Sequence, residues 1–370
     1  MPGPVRVLLM ARSLGLGGSE RQLALMARHL DRRRFEARVA CFRRQGLRAE
    51  ELRAEGVPVL DLRLVSFRRA SAAASAWRFV RYLREHEIDI VHTFDAPATV
   101  FAIPLARAAG TPVVLAGQRA HRELAGRFWR HLLRLTDEMA DAVVVNCEFL
   151  KRHLVNDERV PAGRIRVCYN GIELERFSPA GRNKPAEFGC ARLVVGTVCA
   201  LRPEKNLDVL VQAFASLRHS VPDALLVIAG DGPVRNDLLR QAESLGLGES
   251  CRLLPARSEV AELLRGIDIF VLPSRSEALS NALMEAMACG CAVIATRVGG
   301  NPELVEHGKT GVLVAPGAAG ELASALQSLV NDEPARRRLA AAGAAFIRSR
   351  FSVEIAALRL AEFYEEFLSR

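Results

Sequence analysis

Short apolar runs alternate with amphipathic helical segments along almost the whole of this 370-residue chain. The pattern is typical of parallel β-sheets, because parallel strands need a crossover connection that is usually a helix. It therefore predicts an α/β protein with doubly wound parallel sheets, whose strands form two series on either side of one interruption. The first series is 5–11, 36–42, 57–62, 88–93, 112–116, 142–146 and 164–169, and the second is 192–198, 223–229, 251–254, 267–272, 292–295 and 310–314.

The interruption marks a domain boundary. Residues 171–190 are rich in Gly, Pro and charge, and a chain of this length is too long for one ordinary core. We therefore predict a first domain at 1–175, a linker at 176–191, a second domain at 192–350 and a final helix at 351–370. Two tandem domains of this class would face a central cleft, because such sheets bind ligands at the carboxyl ends of their strands.

The composition is that of a soluble globular protein. No apolar run approaches the roughly 20 residues of a membrane span, and the N-terminus lacks the pattern of a secretory signal. The eight cysteines include no CxxC pair, so neither a disulfide framework nor a cysteine metal site is expected. These observations predict a cytoplasmic protein.

Positive charge is concentrated in the first part of the chain. Residues 1–170 contain 29 Lys and Arg against 18 Asp and Glu, and the whole chain has a net charge of +9. Clusters lie at Arg32–Arg34, Arg68–Arg69 and Arg127–Arg134. They could form a solvated arginine-rich face, or a surface for anionic lipid headgroups or an anionic acceptor. Nucleic acid is not an expected partner, because no nucleic-acid-binding module is recognisable.

The stretch from Asp268 to Glu303 carries the most distinctive chemistry. It reads DIFVLPSRSEALSNALMEAMACGCAVIATRVGGNPE and predicts a strand, a polar loop, a short helix at about 281–288 and another strand. The helix N-terminus at Ser280–Asn281 would offer free N–H groups to an anion. Glu277 in the loop and Glu285 in the helix would address opposite ends of one ligand.

A second polar loop, ALRPEKN at 200–206, also follows a predicted strand. Its Arg202 and Lys205 would place two cations at the ligand-binding edge of the sheet, where they could clamp a diphosphate. The alternative is a surface loop with ordinary charges.

Glycine-rich turns follow other strands but match no cofactor fingerprint. LGLGGSE at 14–20 would let the backbone approach a ligand, but the dinucleotide pattern fails because Glu20 replaces its last glycine. AGDGP at 229–233 fails as well, and GKT at 308–310 is not a P-loop because Glu303 stands where the first glycine belongs. Since DxD and HExxH motifs are also missing, we expect neither a cofactor nor a metal.

Four further polar residues lie at the ends of strands of the first series. His92 ends one strand, and the next strand is followed by Gln118, Arg119 and His121. Together they would form a polar rim at one edge of the sheet. A lone histidine is more often structural than catalytic, so a packing role is the alternative for His92.

In order and spacing, these segments resemble the retaining, nucleotide-sugar-dependent glycosyltransferases of family 4, which have the GT-B fold. The resemblance covers nearly the whole chain. Its segments are LGLGGSE, YNGIELERFSP, ALRPEKNLDVLVQAF, AGDGP and PSRSEALSNALMEAMACG with VGGNPELV. The last resembles the E-x7-E signature of the family, with Glu277 and Glu285 as its carboxylates. It implies two Rossmann-like domains, with the donor in the second and a C-terminal helix that crosses back to the first.

The resemblance also implies roles for the residues of the second domain. Glu285 would accept hydrogen bonds from the ribose hydroxyls, and Glu277 would bind the donor sugar near its reacting face. The backbone N–H groups of three residues would hold the diphosphate: Leu279, Ser280 and Asn281.

Two cations and two glycines complete the implied donor site. Arg202 and Lys205 would neutralise the leaving nucleoside diphosphate in place of a metal ion. Gly17 and Gly18 would approach the donor phosphates and the acceptor. The predicted catalytic set is Glu277, His92, Arg202 and Lys205. The expected sugar or acceptor contacts are Gln118, Arg119 and His121.

The chain departs from the family pattern at two places. Many members have a histidine where this chain has Gln118–Arg119 followed by His121. Whether His92, His121 or neither touches the sugar therefore stays open. The loop EALSN lacks the usual glycines, which affects the shape of the sugar pocket.

These features together predict a retaining glycosyltransferase that uses a UDP- or GDP-sugar. Its acceptor would be a glycan or a lipid-linked molecule in bacterial cell-surface polysaccharide or glycolipid synthesis, reached at an anionic membrane surface through the basic first domain. The alternatives are a nucleotide-sugar epimerase or phosphorylase of the same fold, and a non-catalytic membrane-associated scaffold.

Overall fold

The computed structural model divides into two compact units, Met1–Gly171 with Val353–Arg370, and Ile172–Ser352. The basic cluster Arg68–Arg69 lies outside the described residues. The structure describes residues 3–67, 71–122, 126–181, 183–218 and 220–370.

In its described part, the first unit contains a seven-stranded parallel sheet with the order β3-β2-β1-β4-β5-β6-β7. The strands are β1 (Val5–Ala11), β2 (Phe35–Cys41), β3 (Val59–Asp61), β4 (Ile90–Thr93), β5 (Val113–Gln118), β6 (Ala142–Val145) and β7 (Ile165–Val167). Successive side chains of β1 alternate between the two faces of the sheet. Because both faces are buried, the strand is apolar at nearly every position.

The described residues of the second unit contain a six-stranded parallel sheet with the order β10-β9-β8-β11-β12-β13. Its strands are β8 (Leu193–Val198), β9 (Ala224–Ala229), β10 (Cys251–Leu254), β11 (Ile269–Leu272), β12 (Ala292–Thr296) and β13 (Val312–Val314). The prediction of two parallel α/β sheets is confirmed.

Helices connect most of the strands. In the first unit they are α1 (Gly18–His29), α2 (Leu47–Ala54), α3 (Ser71–Glu85), α4 (Ala96–Ala109), α5 (Arg127–Met139) and α6 (Glu148–Asn156). In the second unit they are α7 (Leu207–Arg218), α8 (Arg235–Ser244), α9 (Ala261–Gly266), α10 (Asn281–Ala288), α11 (Asn301–Leu304), α12 (Ala319–Asn331) and α13 (Glu333–Arg350). The last helix, α14 (Val353–Leu368), belongs to the first unit.

Helix α14 shares the hydrophobic core of the first unit with α1 and the sheet. The ring of Tyr364 packs edge-on against Phe35 of β2, with 5.8 Å between the ring centroids. Its hydroxyl lies 2.9 Å from Nδ1 of His92 on β4. Residues from the two ends of the chain therefore stabilise one core.

The segment 176–191 differs from the predicted linker, because it lies within the second unit. Phe177 and Phe188 are buried there. Gly266 at the end of α9 makes room for the segment, since a Cβ atom at that position would lie 2.5 Å from Pro185 and 2.7 Å from Phe188. A Gly- and Pro-rich composition identifies irregular backbone, but it does not say whether that backbone is packed.

In both sheets the strand order reverses between two adjacent strands, β1 and β4 in the first unit and β8 and β11 in the second. Connections leave these strands in opposite directions, so a crevice opens at their carboxyl ends. The loops with Lys205 and Glu277 follow β8 and β11. Each unit thus has one position at which its own fold favours a ligand site.

No helix among the described residues is long and apolar enough to cross a membrane.

Shortening a side chain on the buried face of α14 is expected to destabilise the first unit. Leu360 is fully buried, whereas Leu358 on the same helix is 58% exposed. Leu360→Ala should lower the free energy of unfolding by about 2–5 kcal/mol, and Leu358→Ala should change it by less than about 0.5 kcal/mol. Urea denaturation, with hydrogen exchange of β1 and β4 as the local probe, measures both. Equal effects would show that α14 does not stabilise this core.

Candidate functional site

Two loops meet at the crevice of the second unit. One follows β8 and runs into α7, and the other follows β11 and runs into α10. The Arg275 N–H donates to the Glu204 carbonyl across 2.8 Å, which joins the loops directly. Asn206 ends the first loop in the left-handed region at φ 54°, a conformation that Asn adopts more readily than most residues.

A buried ion pair lies between these loops. Nζ of Lys205 is 2.5 Å from Oε1 of Glu277, and the Ser274 hydroxyl donates to the same carboxylate oxygen across 2.7 Å. The side chains of Lys205 and Glu277 are only 19% and 9% exposed. Burial lowers the pKa of Lys205, but the attraction and hydrogen bond of Glu277 outweigh it, so the pKa is raised overall. Lys205 therefore keeps its charge at neutral pH.

Helix α10 begins beside this pair. The Ser280 hydroxyl caps the helix by accepting a hydrogen bond from the Leu283 N–H across 3.3 Å. Glu285 lies one turn further on and is 4% exposed. Its carboxylate and the N-terminal N–H groups at Leu279–Asn281 belong to one short segment, where the helix dipole favours an anion.

Arg202 is placed differently from Lys205. Its side chain is 63% exposed, and its guanidinium lies 3.9 Å from Glu204 in the same loop. The structure thus brings Lys205 and Glu277 together, while Arg202 extends into solvent from the loop after β8.

The Glu277 loop is also held from the turn after β12, a contact that sequence reasoning missed. The Gly300 N–H donates to the Ala278 carbonyl across 2.7 Å. Gly299 has φ +56°, and a Cβ atom there would lie 1.8 Å from the Glu277 carbonyl oxygen. The glycine pair in VGGNPE was the available signal, because only glycine combines this backbone conformation with so close an approach.

The AGDGP turn has a comparable packing role. A Cβ atom at Gly230 would lie 1.9 Å from the Cys199 carbonyl oxygen, and one at Gly232 would lie 2.3 Å from that of Leu201. Both glycines therefore let the turn after β9 pack against the start of the loop that carries Lys205.

In the first unit, the glycine-rich loop lies at the crevice between β1 and β4. The Arg12 N–H donates to Oδ2 of Asp95 across 2.6 Å, which joins the ends of these strands. Gly17 and Gly18 are exposed at the start of α1. Their backbone is accessible from solvent.

His92 is fully buried, and its Nδ1 faces the Tyr364 hydroxyl. Burial and, to a lesser degree, the nearby Arg119 guanidinium lower the pKa of its imidazole well below the usual value. This environment favours the packing role over the catalytic one.

The other three residues of the predicted rim have separate environments. Gln118 is buried and accepts from Arg122 across 3.3 Å. Arg119 donates to Oδ1 of Asn170 across 2.7 Å and stacks on Phe94, and burial lowers its pKa to about 10. These contacts hold both side chains inside the first unit.

His121 is half-buried and contacts two rings: it stacks on Phe149, with 5.4 Å between centroids, and is tilted against His153 at 4.0 Å. Among the residues that the structure describes, no three His, Cys, Asp or Glu side chains are grouped to hold a metal ion.

Family models match two successive parts of the chain. The model described as Glycosyltransferase Family 4 matches residues 16–176, and the model described as Glycosyl transferases group 1 matches residues 187–346. A GDP-mannose-dependent alpha-(1-6)-phosphatidylinositol monomannoside mannosyltransferase of Mycolicibacterium smegmatis is 32% identical, over 73% of this chain and 74% of that relative. The chain belongs to glycosyltransferase family 4. The predicted resemblance is confirmed.

A second relative of this chain is matched over less of its length. The D-inositol 3-phosphate glycosyltransferase of Mycobacterium sp. (strain KMS) is 34% identical over 56% of this chain, and the match spans 48% of that relative. The chain thus spans about half the length of this relative.

Solved structures confirm the GT-B fold of this chain. Anabaena HepE, crystallised with UDP and glucose, has a TM-score of 0.85 at 23% identity, covering 98% of this chain and 99% of that one. Sucrose-phosphate synthase from Thermosynechococcus elongatus has a TM-score of 0.82 at 20% identity, covering 99% of each chain.

Alanine at Gly299 is expected to displace the Glu277 loop. Gly308 is the matched control, because it also has a positive φ (+77°) but would place a Cβ atom in open space. Both substitutions should cost about 1–2 kcal/mol from backbone conformation, and Gly299→Ala should cost more because it also meets the Glu277 carbonyl. Thermal unfolding gives the difference, and hydrogen exchange at 274–280 should rise only in Gly299→Ala. Indistinguishable variants would contradict this support of the loop.

Proposed function

We propose that this chain is a retaining, metal-independent glycosyltransferase that moves a sugar from a nucleoside diphosphate sugar to a glycan or lipid-linked acceptor. The reaction would serve bacterial cell-surface polysaccharide or glycolipid synthesis at the cytoplasmic face of a membrane. The observation that carries the proposal is the Lys205–Glu277 ion pair beside the N-terminus of α10. It combines a cation, a carboxylate and a helix N-terminus at the position where the fold favours a ligand.

The donor diphosphate would lie at the N-terminus of α10 and beside Lys205. The N–H groups at Leu279–Asn281 would donate to its oxygens. Burial lowers the pKa of Lys205, but the attraction and hydrogen bond of Glu277 raise it overall, so its ammonium would neutralise the leaving group without a change of protonation. The exposed Arg202 would add a second cation once phosphate is present.

The two carboxylates would divide the rest of the donor between them. Glu285, inside α10, would accept hydrogen bonds from the ribose hydroxyls. When the donor binds, its diphosphate would contact the Lys205 ammonium. Glu277 would then bind hydroxyls of the sugar in place of part of its contact with Lys205. The ion pair therefore holds both groups near their working positions before the donor binds.

The chemical step would proceed on one face of the sugar. The bond from the anomeric carbon to the diphosphate oxygen breaks, the acceptor oxygen forms the new bond, and its proton passes to the departing phosphate. The transition state would have oxocarbenium character, as in glycoside hydrolysis. A trapped covalent glycosyl-enzyme at Glu277 would contradict this front-face mechanism.

Two kinds of donor are the first to test. HepE was crystallised with UDP and glucose, and the mycobacterial relative is named as GDP-mannose-dependent. The roles predicted for Gly17, Gly18, His121 and the Gln118–Arg119 pair stay predictions.

Removing the ammonium of Lys205 is expected to abolish transfer without unfolding the protein. Lys205→Ala should lower kcat by about 100-fold or more, because a preorganised group that stabilises developing charge contributes at least that much. Lys309→Ala is the control, since Lys309 is 72% exposed. Radiolabelled sugar transfer measures the effect, and circular dichroism checks the fold. Near wild-type transfer by folded Lys205→Ala would refute the site assignment.

Nucleotide binding is expected to depend on Glu285. UDP, GDP and ADP, each with and without a sugar, are screened for a shift in Tm, and one base should stabilise the protein through binding to the folded state. Glu285→Gln should reduce that shift, because the neutral amide is a weaker acceptor for ribose hydroxyls. An unchanged shift would remove Glu285 from the donor site. If no nucleotide raises Tm, the scaffold alternative is favoured.

A further inference from the structure

A cavity of about 450 Å³ lies at the carboxyl ends of β1, β2 and β3 in the first unit. Its volume falls within the range of about 300–1,000 Å³ that is typical of small-molecule sites. Arg12 follows β1, Phe42 and Arg43 follow β2, and Leu64 and Phe67 follow β3. We call this cavity the aromatic pocket.

Three aromatic side chains form the main apolar wall of the aromatic pocket. Phe67 contacts Phe42 edge-on, with 5.6 Å between centroids, and contacts Trp129 of α5 at 6.1 Å. Phe42 also packs against the buried Phe101 of α4 at 5.4 Å. The wall is therefore continuous with the core, while Phe67 itself is 43% exposed.

The polar groups of the aromatic pocket lie beside this wall and include two cations. Arg12 and Arg43 are exposed, and among the described residues neither makes an ion pair. No described residue that lines the pocket carries a carboxylate. Val65, which also lines it, is 53% exposed, and Phe128 beside Trp129 is 71% exposed. Exposed apolar groups next to exposed arginines match a ligand that has a hydrocarbon part and an anionic part.

We propose that the aromatic pocket binds the lipid part of a phosphate-bearing lipid acceptor, with the hydrocarbon chain against Phe42, Phe67 and Trp129 and the phosphate at Arg12 and Arg43. The inference rests on the proposed function and names the acceptor class. An oligosaccharide fits less well, because its many hydroxyls would need more hydrogen-bonding partners than this wall supplies. A hydrocarbon chain needs none, and the burial of its CH₂ groups is favourable by itself.

The two tryptophans of the chain permit a direct binding test. Trp77 is 63% exposed on α3, so Trp77→Phe leaves Trp129 as the sole tryptophan reporter. The probes are decyl phosphate below its aggregation concentration, decyl maltoside with the same chain but no anion, and inorganic phosphate. We expect a saturable change of Trp129 fluorescence with decyl phosphate, about tenfold weaker binding of decyl maltoside, and no change with inorganic phosphate.

Charge variants test the role of the two arginines. Arg12→Gln and Arg43→Gln should each weaken decyl phosphate binding by about tenfold. Arg33→Gln is the matched control, because Arg33 is exposed just before β2 (Phe35–Cys41), whereas Arg43 follows the other end of that strand. Binding that is equal for decyl phosphate and decyl maltoside, or equally weakened by Arg33→Gln, would overturn the proposal.

The nucleotide and decyl phosphate experiments test the proposed function and this inference separately. If nucleotide raises Tm but decyl phosphate leaves Trp129 unchanged, the aromatic pocket is not the lipid site and the donor assignment stands. If decyl phosphate binds as expected but no nucleotide does, the lipid site is supported and the proposed transfer reaction fails.

Discussion

The parallel pairing of strands determines where the candidate site of this protein lies. Because all strands of a sheet run in one direction, their carboxyl ends share one edge, and a crevice opens where the strand order reverses. In the second unit this point lies between β8 and β11. Lys205 and Glu277, 72 positions apart in the chain, meet there at 2.5 Å. The site therefore depends on sheet topology more than on any single loop.

A buried ion pair is stable only when its surroundings replace the lost hydration. Here the Ser274 hydroxyl donates to the carboxylate, and the Ser274 carbonyl accepts from the Thr296 hydroxyl across 2.6 Å. The contact of Gly299 with the Glu277 backbone adds support from the strand after α10. The loop that carries Glu277 is thus packed from several strands, which is the rigidity that the proposed donor site requires.

The architecture was predictable because burial on both faces of a parallel sheet leaves a strong apolar signal in each strand. All thirteen predicted strands are present among the described residues, and α10 has the predicted bounds. The packing of 176–191 in the second unit was not predictable, because a Gly- and Pro-rich composition is the same for packed and unpacked loops. The sequence left His92 open between a catalytic and a packing role, because its burial depends on Tyr364 from the opposite end of the chain.

The sequence by itself determined the α/β class, the family and the loops that carry the candidate residues, because periodicity and motif spacing are local properties of the chain. Only the tertiary structure decided which of those residues touch. It paired Lys205 with Glu277, left Arg202 in solvent, buried His92 and built an aromatic pocket from segments after three different strands. These outcomes depend on contacts between residues that are distant in the chain. A local sequence pattern does not specify which distant residues meet.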